Sequence, residues 1–485
     1  MLAEIISTKA LQAETESMAA RQMSTNGRVT ANRMVLVSEK AMGGPFCKAT
    51  DFDSMVTTKT MSLVKEFGIK YDSSNLVPTD NSLIDNVYQA GFDLFCDLGA
   101  LCLDTSRRII FSESEVKEVL RYLPAEVHVG RGRDSRVVRK RSVEDRNPPM
   151  ILGGPTGTLV SEGELYVKNE QSIAQEQVVD AFQAGSLQTI RGERILTGAP
   201  LEILAARSAI RWAHEALHKA GRPGLHIADD AAGLTSQGKI CACDPVSGIR
   251  PTDGILVSQM NEMKVDYDHL SMTAFLLDYG ASIYNLMTPI IGGYAPGPEG
   301  LAIVTIAEHL VGAVLYHADF HHMSHTHIKF LNNANRWGLW AEAVVGQALA
   351  RNTNILSFED CYCSHGPSTK ELLYEVACDS MVSSVAGMQT EGVGATGGKV
   401  PDHNTGLEVR LLGEVAHATA GMKRENANEI LQKLLPKFEE KLVNPDRGKP
   451  FRECYDLKTV QPLPEWSNKY DEVRKELEEL GIRFR

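Results

Sequence analysis

The feature that most constrains the fold of this chain is a regular alternation of short apolar segments with longer amphipathic ones. The apolar segments have the length of buried strands, and the amphipathic ones repeat apolar residues at helical three- and four-residue steps. Strands are predicted at residues 126–129, 150–152, 225–228, 255–259, 289–292, 325–330, 355–358 and 387–391. Helices are predicted at residues 200–220, 267–279, 298–316, 337–350, 368–385 and 405–420. Repeated strand–helix units favour a parallel sheet, and about eight strands predict an α/β fold, a closed (β/α)8 TIM barrel.

The two ends of the chain differ from this alternating part. The first 33 residues are polar, without the basic head and apolar core of a secretory signal. We expect residues 1–33 to form a flexible N-terminal extension and residues 34–485 to form a single barrel domain. Helical patterns at residues 52–67 and 82–94 predict an N-terminal helical layer around the closed end of the barrel. Residues 464–480 predict a charged C-terminal helix packed outside it.

Composition narrows the class of protein. Lys and Arg number 50 against 62 Asp and Glu, for a net charge of −12, so nucleic acid is not an expected partner. No apolar run reaches the roughly 18 residues that span a bilayer, so a membrane is not expected either. Nine cysteines, an odd number without a secretory signal, indicate reduced thiols and a cytoplasmic location.

One stretch near the middle of the chain has the pattern of a barrel active site. The helix predicted at residues 200–220 ends at Gly221, and the strand predicted at residues 225–228 is followed directly by Asp229 and Asp230. Barrel enzymes keep their chemistry at the carboxyl ends of strands, so both aspartates are candidate catalytic residues. The alternative role for one of the two is the N-cap of the next helix.

A third carboxylate and several aromatic residues point to a cationic substrate. Asp360 also follows a predicted strand, and Tyr294 and Tyr362 could add cation–π contacts to an ammonium group. For each aromatic residue taken alone, packing in the core is the competing interpretation.

Histidines and cysteines supply the ligands for a possible zinc site. His321, His325 and His327 are predicted on one face of a strand that presents imidazoles to the barrel interior. The pairs Cys241/Cys243 and Cys361/Cys363 complete a sufficient ligand set. The C-x-C spacing is less specific than paired C-x-x-C motifs, so packing and hydrogen bonding are favoured and no metal site is predicted.

Motifs along nearly the whole chain from Met34 carry a family resemblance. They include Gly221-Arg222-Pro223-Gly224 with Gln237-Gly238, Gly132-Arg133-Asp134, Gly153 to Gly157, Ser258-Gln259, Ile291-Gly292-Gly293-Tyr294-Ala295, His327-Ile328, Gly413-Glu414-Val415-Ala416 and Glu453-Cys454-Tyr455-Asp456. The chain resembles the pyrrolysine-containing monomethylamine methyltransferases, which transfer a methyl group to a corrinoid protein. The resemblance implies a (β/α)8 barrel, a homo-oligomer, and an open mouth where a corrinoid protein docks and presents its corrinoid (cobalamin) in trans.

The departures from the family concern its site. Ala228 stands at the position of pyrrolysine, whose imine is thought to hold the methylamine nitrogen. Leu286 matches a family glutamate, Asp360 matches a glutamine, and Tyr362 matches a tyrosine. Because an alanine offers no electrophile, the covalent tether cannot form, and monomethylamine is not the expected donor.

The resulting hypothesis is methyl transfer from another methylated amine, quaternary or carboxylated, to Co(I) of a corrinoid protein. Asp229, Asp230, Asp360 and Tyr362 are the candidate catalytic residues. The candidate substrate-binding residues are Ala228, Leu286, Tyr294, His327 and Arg133. Arg133 or, alternatively, Arg139 would receive a substrate carboxylate. The alternatives are zinc-dependent transfer from a methylated alcohol or thiol, and a non-catalytic homologue that binds the corrinoid protein or a methylamine.

Overall fold

Eight parallel strands close into a barrel in the order of the chain. The computed structural model describes residues 25–229 and 233–484, the side chains of residues 25–32 and of Asp229 excepted. Each barrel strand pairs with the next in sequence, and the last pairs with the first. The strands are β1 Ile151–Gly153, β2 Ala181–Ala184, β3 Ile227–Asp229, β4 Gly254–Ser258, β5 Ser282–Met287, β6 Phe320–Met323, β7 Ser357–Tyr362 and β8 Gln389–Gly394. The predicted (β/α)8 fold is confirmed.

A helix follows each strand and covers the outside of the barrel. The helices are α1 Glu164–Ala174, α2 Pro200–Lys219, α3 Ser236–Ala242, α4 Tyr267–Tyr279, α5 Gly297–Val314, α6 Arg336–Asn352, α7 Lys370–Ala386 and α8 Gly406–Ala418. Local signals set their ends. Asp266 caps the start of α4 by accepting from the His269 amide, and Gly280 ends it in the left-handed conformation. Helices α5, α6 and α7 are buried on nearly every side because a further layer of chain lies outside them.

Several predicted strands are displaced or replaced. The strand predicted at 126–129 is not a barrel strand, and β2, which takes its place in the count, was not predicted. The prediction at 289–292 falls on a two-residue strand outside the barrel, and the one at 325–330 begins after β6 has ended. A short apolar segment flanked by glycine is equally compatible with a buried barrel strand and with a short strand in a loop, because neither shows a two-residue alternation in sequence.

An antiparallel hairpin closes the amino-terminal end of the barrel. It pairs Glu126–Val129 with Arg136–Arg139. Its valines join the buried cluster that fills the barrel interior. Backbone bonds attach it to the segments before the barrel strands, for example from the Arg131 amide to the Gly224 carbonyl. This end is therefore closed by the hairpin, whose first strand was predicted as a barrel strand.

The N-terminal helices lie on the side of the barrel. The helices are Thr25–Gly43, Ala49–Glu66 and Asn81–Leu98, and the last of them packs on α5 and α6. A three-stranded sheet of Ala100–Cys102, Arg107–Ile109 and Lys264–Val265 and the helix Glu113–Arg121 extend this layer. Of the expected flexible extension, residues 25–33 belong to the first helix and residues 1–24 lie outside the described part of the chain.

The C-terminal segment packs next to this layer, over α7 and α8. It contains the helices Arg424–Leu434, Phe451–Cys454 and Pro464–Glu479, and the last contacts α7 and α8 as expected. The remaining strands are short pairs in loops, at Leu159–Val160 with Ser186–Leu187, Thr189–Ile190 with Glu193–Arg194, Ile290–Ile291 with Thr326–His327, and Tyr455–Asp456 with Gln461–Pro462. Among the described residues, no helix has the length and apolar character needed to cross a membrane.

We expect Asp253→Ala to lower the free energy of unfolding by about 3–5 kcal/mol, because it leaves the buried Arg250 unpaired. Asp253 accepts from Arg250 at 2.6 and 2.7 Å and from the Ile227 amide of β3 at 3.0 Å. Burial alone would raise the pKa of Asp253, but Arg250 and the amide bonds outweigh it and lower that pKa. Denaturant unfolding measures the change. Asp85→Ala is the control, because Asp85 and Arg351 form a half-exposed ion pair, and it should lower the free energy of unfolding by less than about 1 kcal/mol. Equal losses in the two variants would contradict the role given to the buried pair.

Candidate active site

Aromatic side chains form a floor inside the barrel above the hairpin. Tyr284 of β5 packs on Phe320 of β6 with ring centroids 4.6 Å apart, and Phe320 meets Phe358 of β7 edge-on at 5.8 Å. The Tyr284 hydroxyl lies 2.6 Å from Nε2 of His226, which supplies its buried polar partner. This floor and the hairpin below it close the interior from one side, so that side chains further along the strands face the carboxyl-terminal mouth.

Three ionisable side chains meet directly above this floor. His322, Asp360 and Glu391 come from the neighbouring strands β6, β7 and β8, and all three are buried. Nδ1 of His322 lies 2.5 Å from a Glu391 carboxylate oxygen and 3.5 Å from an Asp360 oxygen. Asp360 and Glu391 are opposite each other in the strand register, and Ser324 donates its hydroxyl to Asp360. We name these three residues the interior cluster.

The interior cluster has the electrostatics of a cation site. Burial raises the pKa of Asp360 well above its ordinary range, and the charge of Glu391 raises it further, although His322 and Ser324 act in the opposite direction. Two carboxyls in contact in a dry interior resist simultaneous ionisation. A positively charged ligand would relieve that repulsion, since it stabilises both carboxylates in their charged form.

The interior cluster also has a donor set for a metal ion. One imidazole nitrogen and two carboxylate oxygens lie within 4.8 Å of one another. This set differs from the ligands that the sequence offered for a zinc site. His321 faces outward and stacks on His309 of α5 at 5.4 Å, and Cys361 and Cys363 point toward the helices with their sulfurs 3.6 Å apart. The prediction that His321 and His325 face the interior is wrong, because the strand parity selects His322.

Three of the predicted residues surround the interior cluster. Ala228 of β3 is fully buried and belongs to the same inner cluster as the aromatic floor. Leu286 of β5 is opposite His322 in the register, and it is half-buried. Tyr362, two residues after Asp360, lies at the end of β7 with its ring next to Gly157, whose lack of a side chain makes room for it.

Three other predicted residues lie elsewhere. Arg133 sits in the hairpin at the closed end, where it donates to the Gly221 carbonyl, so it does not reach the mouth. Tyr294 is half-exposed on a loop and has Lys264 as its cation–π partner at 5.3 Å. His327 is also in a loop, stacked on Phe330 at 4.5 Å. Neither Tyr294 nor His327 contacts the interior cluster.

The aspartates at the end of β3 cannot be placed with the others. Asp229 ends the strand, and its side chain lies outside the described part of the structure, as does the whole of Asp230. Their assignment as catalytic residues stays a prediction.

Sequence reasoning did not select His322, Glu391 or Ser324. The signal that could have found His322 is its two-residue spacing from Phe320, because a fully buried aromatic residue marks the inner face of a strand. No comparable sequence signal exists for Glu391, because its position opposite Asp360 is defined only when β7 and β8 pair.

A closed parallel barrel with a cluster of ionisable groups above a sealed floor, at the carboxyl ends of its strands, has the architecture of a (β/α)8 enzyme. The family model "Monomethylamine methyltransferase MtmB" matches residues 34–482. The chain is 36% identical over 448 residues to the monomethylamine methyltransferase MtmB of Methanosarcina mazei, covering 92% of this chain and 97% of the relative. It is 35% identical to MtmB1 of Methanosarcina barkeri with the same coverage.

Solved structures agree with the sequence comparison. The crystal structure of the Methanosarcina barkeri monomethylamine methyltransferase superposes with a TM-score of 0.89 at 35% identity, covering 92% of this chain and 98% of that one. A hydroxylamine complex of MtmB gives the same values. The chain therefore belongs to the monomethylamine methyltransferase family, a family of corrinoid-dependent enzymes that transfer one-carbon groups.

We expect Asp360→Asn to stabilise the protein relative to wild type, and the gain in the free energy of unfolding to grow as pH rises from 4 to 7. The unfolded chain releases the Asp360 proton near its ordinary pKa of about 4, whereas the folded chain retains it, so wild type loses stability as pH rises. Urea unfolding at several pH values measures this. Asp85→Asn is the control, and its effect on the free energy of unfolding should have the opposite sign, because Arg351 lowers the pKa of Asp85. If the stability difference between Asp360→Asn and wild type does not change with pH, the pKa of Asp360 is not raised.

Proposed function

We propose that this protein transfers a methyl group from a quaternary ammonium compound to the Co(I) centre of a corrinoid protein, and that monomethylamine is not its donor. Membership of the family supports the methyl transfer. The observation that supports a cationic donor is the pair of buried carboxyls, Asp360 and Glu391, above the sealed floor of the barrel. The absence of an electrophile at Ala228 supports a donor that needs no covalent tether.

The change of charge on the donor during the reaction is compatible with this site. The corrinoid, presented by its own protein in trans, supplies the electron pair that forms the bond to the methyl carbon. The pair of the broken carbon–nitrogen bond stays on nitrogen, and a quaternary donor leaves as a neutral amine. Asp360 and Glu391 therefore attract the donor through its positive charge and lose that attraction once the methyl group has left. This difference favours binding of the donor over retention of the product.

The walls of the site would orient the donor. The floor of Tyr284 and Phe358 closes the side toward the hairpin, so only a methyl group of the bound ammonium that is directed toward the mouth can be approached from outside. An in-line approach to that methyl carbon from outside is what displacement requires. Tyr362 and Leu286 would line the path, and the Tyr362 ring would face the cation.

A carboxylated donor receives less support than the sequence suggested. Such a donor requires Arg133 or Arg139 as the partner of its carboxylate, and both residues belong to the hairpin at the closed end of the barrel. A quaternary ammonium without a carboxylate needs only the anionic cluster, so it is the preferred donor.

Exposed apolar side chains in the loops of the mouth support the docking of a protein partner. Ile328 and Met260 are 57% and 40% exposed, in the loops after β6 and β4. Leu234, in the loop after β3, and Trp337, in the first turn of α6, belong to the same end of the barrel. Apolar residues grouped around a site mark a contact surface more often than an idle one. We propose that the corrinoid protein covers this rim.

The second candidate function is metal-dependent transfer from a methylated alcohol or thiol. The donor set of His322, Asp360 and Glu391 favours it, since one imidazole and two carboxylates are ligands for Zn²⁺ or Fe²⁺. A bound metal would act as a Lewis acid on the oxygen or sulfur of the donor.

One assay tests both functions. The protein is mixed with a reduced corrinoid protein and with quaternary ammonium compounds, methylamines, methanol and methylated thiols, and the loss of the Co(I) absorption band is followed. Turnover with a quaternary ammonium supports the proposal. Turnover only with methanol or a thiol would support the metal-dependent function. Turnover with monomethylamine as the best donor would refute the role given to Ala228. Corrinoid-protein binding without any turnover would indicate a non-catalytic homologue.

We expect Asp360→Asn and Glu391→Gln each to lower kcat/KM for the donor about 30-fold or more. Each change removes one carboxylate from a desolvated cation site, where loss of a charged partner costs about 2–5 kcal/mol. Initial rates of Co(I) loss measure it. Thr390→Ser is the matched control, because Thr390 precedes Glu391 but points outward to the Ser383 hydroxyl at 2.8 Å. An unchanged kcat/KM in both carboxyl variants would contradict a cation site at Asp360 and Glu391.

We expect Ile328→Glu to raise the KM for the corrinoid protein about tenfold and to leave the rate with free reduced cobalamin unchanged, because a charge in the rim opposes docking but not the interior site. Steady-state kinetics with each acceptor separate the two effects. Val246→Glu is the control, since Val246 is 90% exposed in the loop before β4, at the closed end. An equal change in both variants would place the docking surface elsewhere.

A further inference from the structure

A second group of buried acids lies on the opposite side of the barrel wall from the interior cluster. Glu342 of α6, Glu359 of β7 and Asp379 of α7 present carboxylate oxygens that lie within 4.8 Å of one another, and all three side chains are fully buried. Glu359 precedes Asp360 in β7, so the strand sends the two carboxyls to opposite faces. We name Glu342, Glu359 and Asp379, together with His325, the outer cluster.

The acids of the outer cluster have no cationic partner. Among the described residues, none of the three forms an ion pair with lysine or arginine, and both oxygens of Glu342 lack a hydrogen-bond donor. One Glu359 oxygen accepts from the Asn333 amide at 2.7 Å, and the other accepts from nothing. Leaving such groups unpartnered in an apolar interior costs several kcal/mol unless they retain protons or bind a cation.

His325 is the independent observation that points to a cation. Its Nε2 lies 3.0 Å from the Gly338 carbonyl, so this nitrogen carries the proton and donates. Nδ1 therefore keeps a lone pair, and it faces a Glu359 oxygen at 3.3 Å with no donor between them. A ring whose far nitrogen donates to a backbone carbonyl while the near one aims a lone pair at carboxylates is the arrangement of a metal-binding histidine.

We propose that the outer cluster binds one divalent transition-metal ion, with Glu342, Glu359, Asp379 and His325 as its ligands. Three carboxylates and one imidazole suit Zn²⁺, Mn²⁺ or Fe²⁺, whereas Ca²⁺ and Mg²⁺ bind sites of oxygen ligands alone. The ion would offset two of the three negative charges and would occupy the space that faces the lone pair of His325. The site joins β7, α6, α7 and the loop after β6.

The position of this ion would also support the interior cluster. Asn333 donates to both the Glu359 carboxylate and the Asp360 carbonyl, and its own amide oxygen accepts from the Tyr362 amide at 2.9 Å. A metal that fixes Glu359 therefore fixes the end of β7, where Asp360 and Tyr362 are presented to the interior. It is a positioning element and takes no part in the transfer itself, so the inference does not depend on the identity of the methyl donor.

The test compares bound metal and thermal stability in wild type and variants. Purified protein is analysed for metal content, dialysed against a chelator, and then titrated with Zn²⁺, Mn²⁺ or Fe²⁺ while Tm is followed. We expect one bound ion at this site and a rise in Tm of about 3–8 °C at saturation. Glu342→Gln and Asp379→Asn should each abolish this rise, and each should increase the Tm of the metal-free protein because one buried acid has been removed.

Two further variants locate the ion. Glu170→Gln removes a buried carboxyl from α1, away from the outer cluster, and should keep both the metal and the Tm response. Glu391→Gln alters only the interior cluster and should also keep them. The proposal is overturned if wild type binds none of the three ions, or if Glu391→Gln loses the ion while Glu342→Gln and Asp379→Asn retain it. The measurements on wild type require no variant to fold.

Discussion

The two-residue alternation of β-strands, imposed on a closed ring of parallel strands, is the constraint on which the chemistry of this molecule depends. Along β7 it sends Phe358 and Asp360 into the barrel, and it sends Glu359 and Cys361 toward the helices. Two carboxyls that are adjacent in the chain thus belong to different clusters, separated by the wall of the barrel. A shift of one residue in the register of β7 would exchange their environments completely.

The barrel interior would be more stable without its ionisable groups. Barrels of this class usually fill the interior with apolar side chains, and here apolar packing is confined to the floor and the hairpin side. Above it, a histidine and two carboxyls are buried at a cost in desolvation. Such departures from a stable core mark the places where a protein binds or reacts, and the interior cluster lies where barrel enzymes work.

Helices were predicted well because their signals are local. The range predicted for α4, residues 267–279, agrees with the structure, because the cap Asp266 and the terminal Gly280 are adjacent to the helix they delimit. Strands were predicted less well. The four residues of β2 carry no period and no cap, and the hairpin Glu126–Arg139 has the apolar character of a barrel strand. Only pairing with distant strands distinguishes the two, and pairing is not a local property.

In the candidate site, too, local features could be predicted from the sequence and contacts between strands could not. Asp360 could be predicted, because its position at the end of an apolar segment is visible in the chain. Glu391 could not be identified as its partner, because their register arises only when β7 and β8 pair. Arg133 follows a segment that was predicted as a barrel strand, and because that segment forms a hairpin instead, Arg133 lies at the closed end of the barrel.

The sequence by itself determined the family, the barrel class and the alanine at position 228, since these follow from motifs and periods contained in contiguous stretches of chain. The tertiary structure decided which side chains share an interior. His322 rather than His321 faces the carboxyls, and His325 meets the acids behind the wall, because the closure of the barrel fixes the parity of each strand. That closure is made by hydrogen bonds between strands that lie far apart in the chain, so no single stretch of sequence contains it.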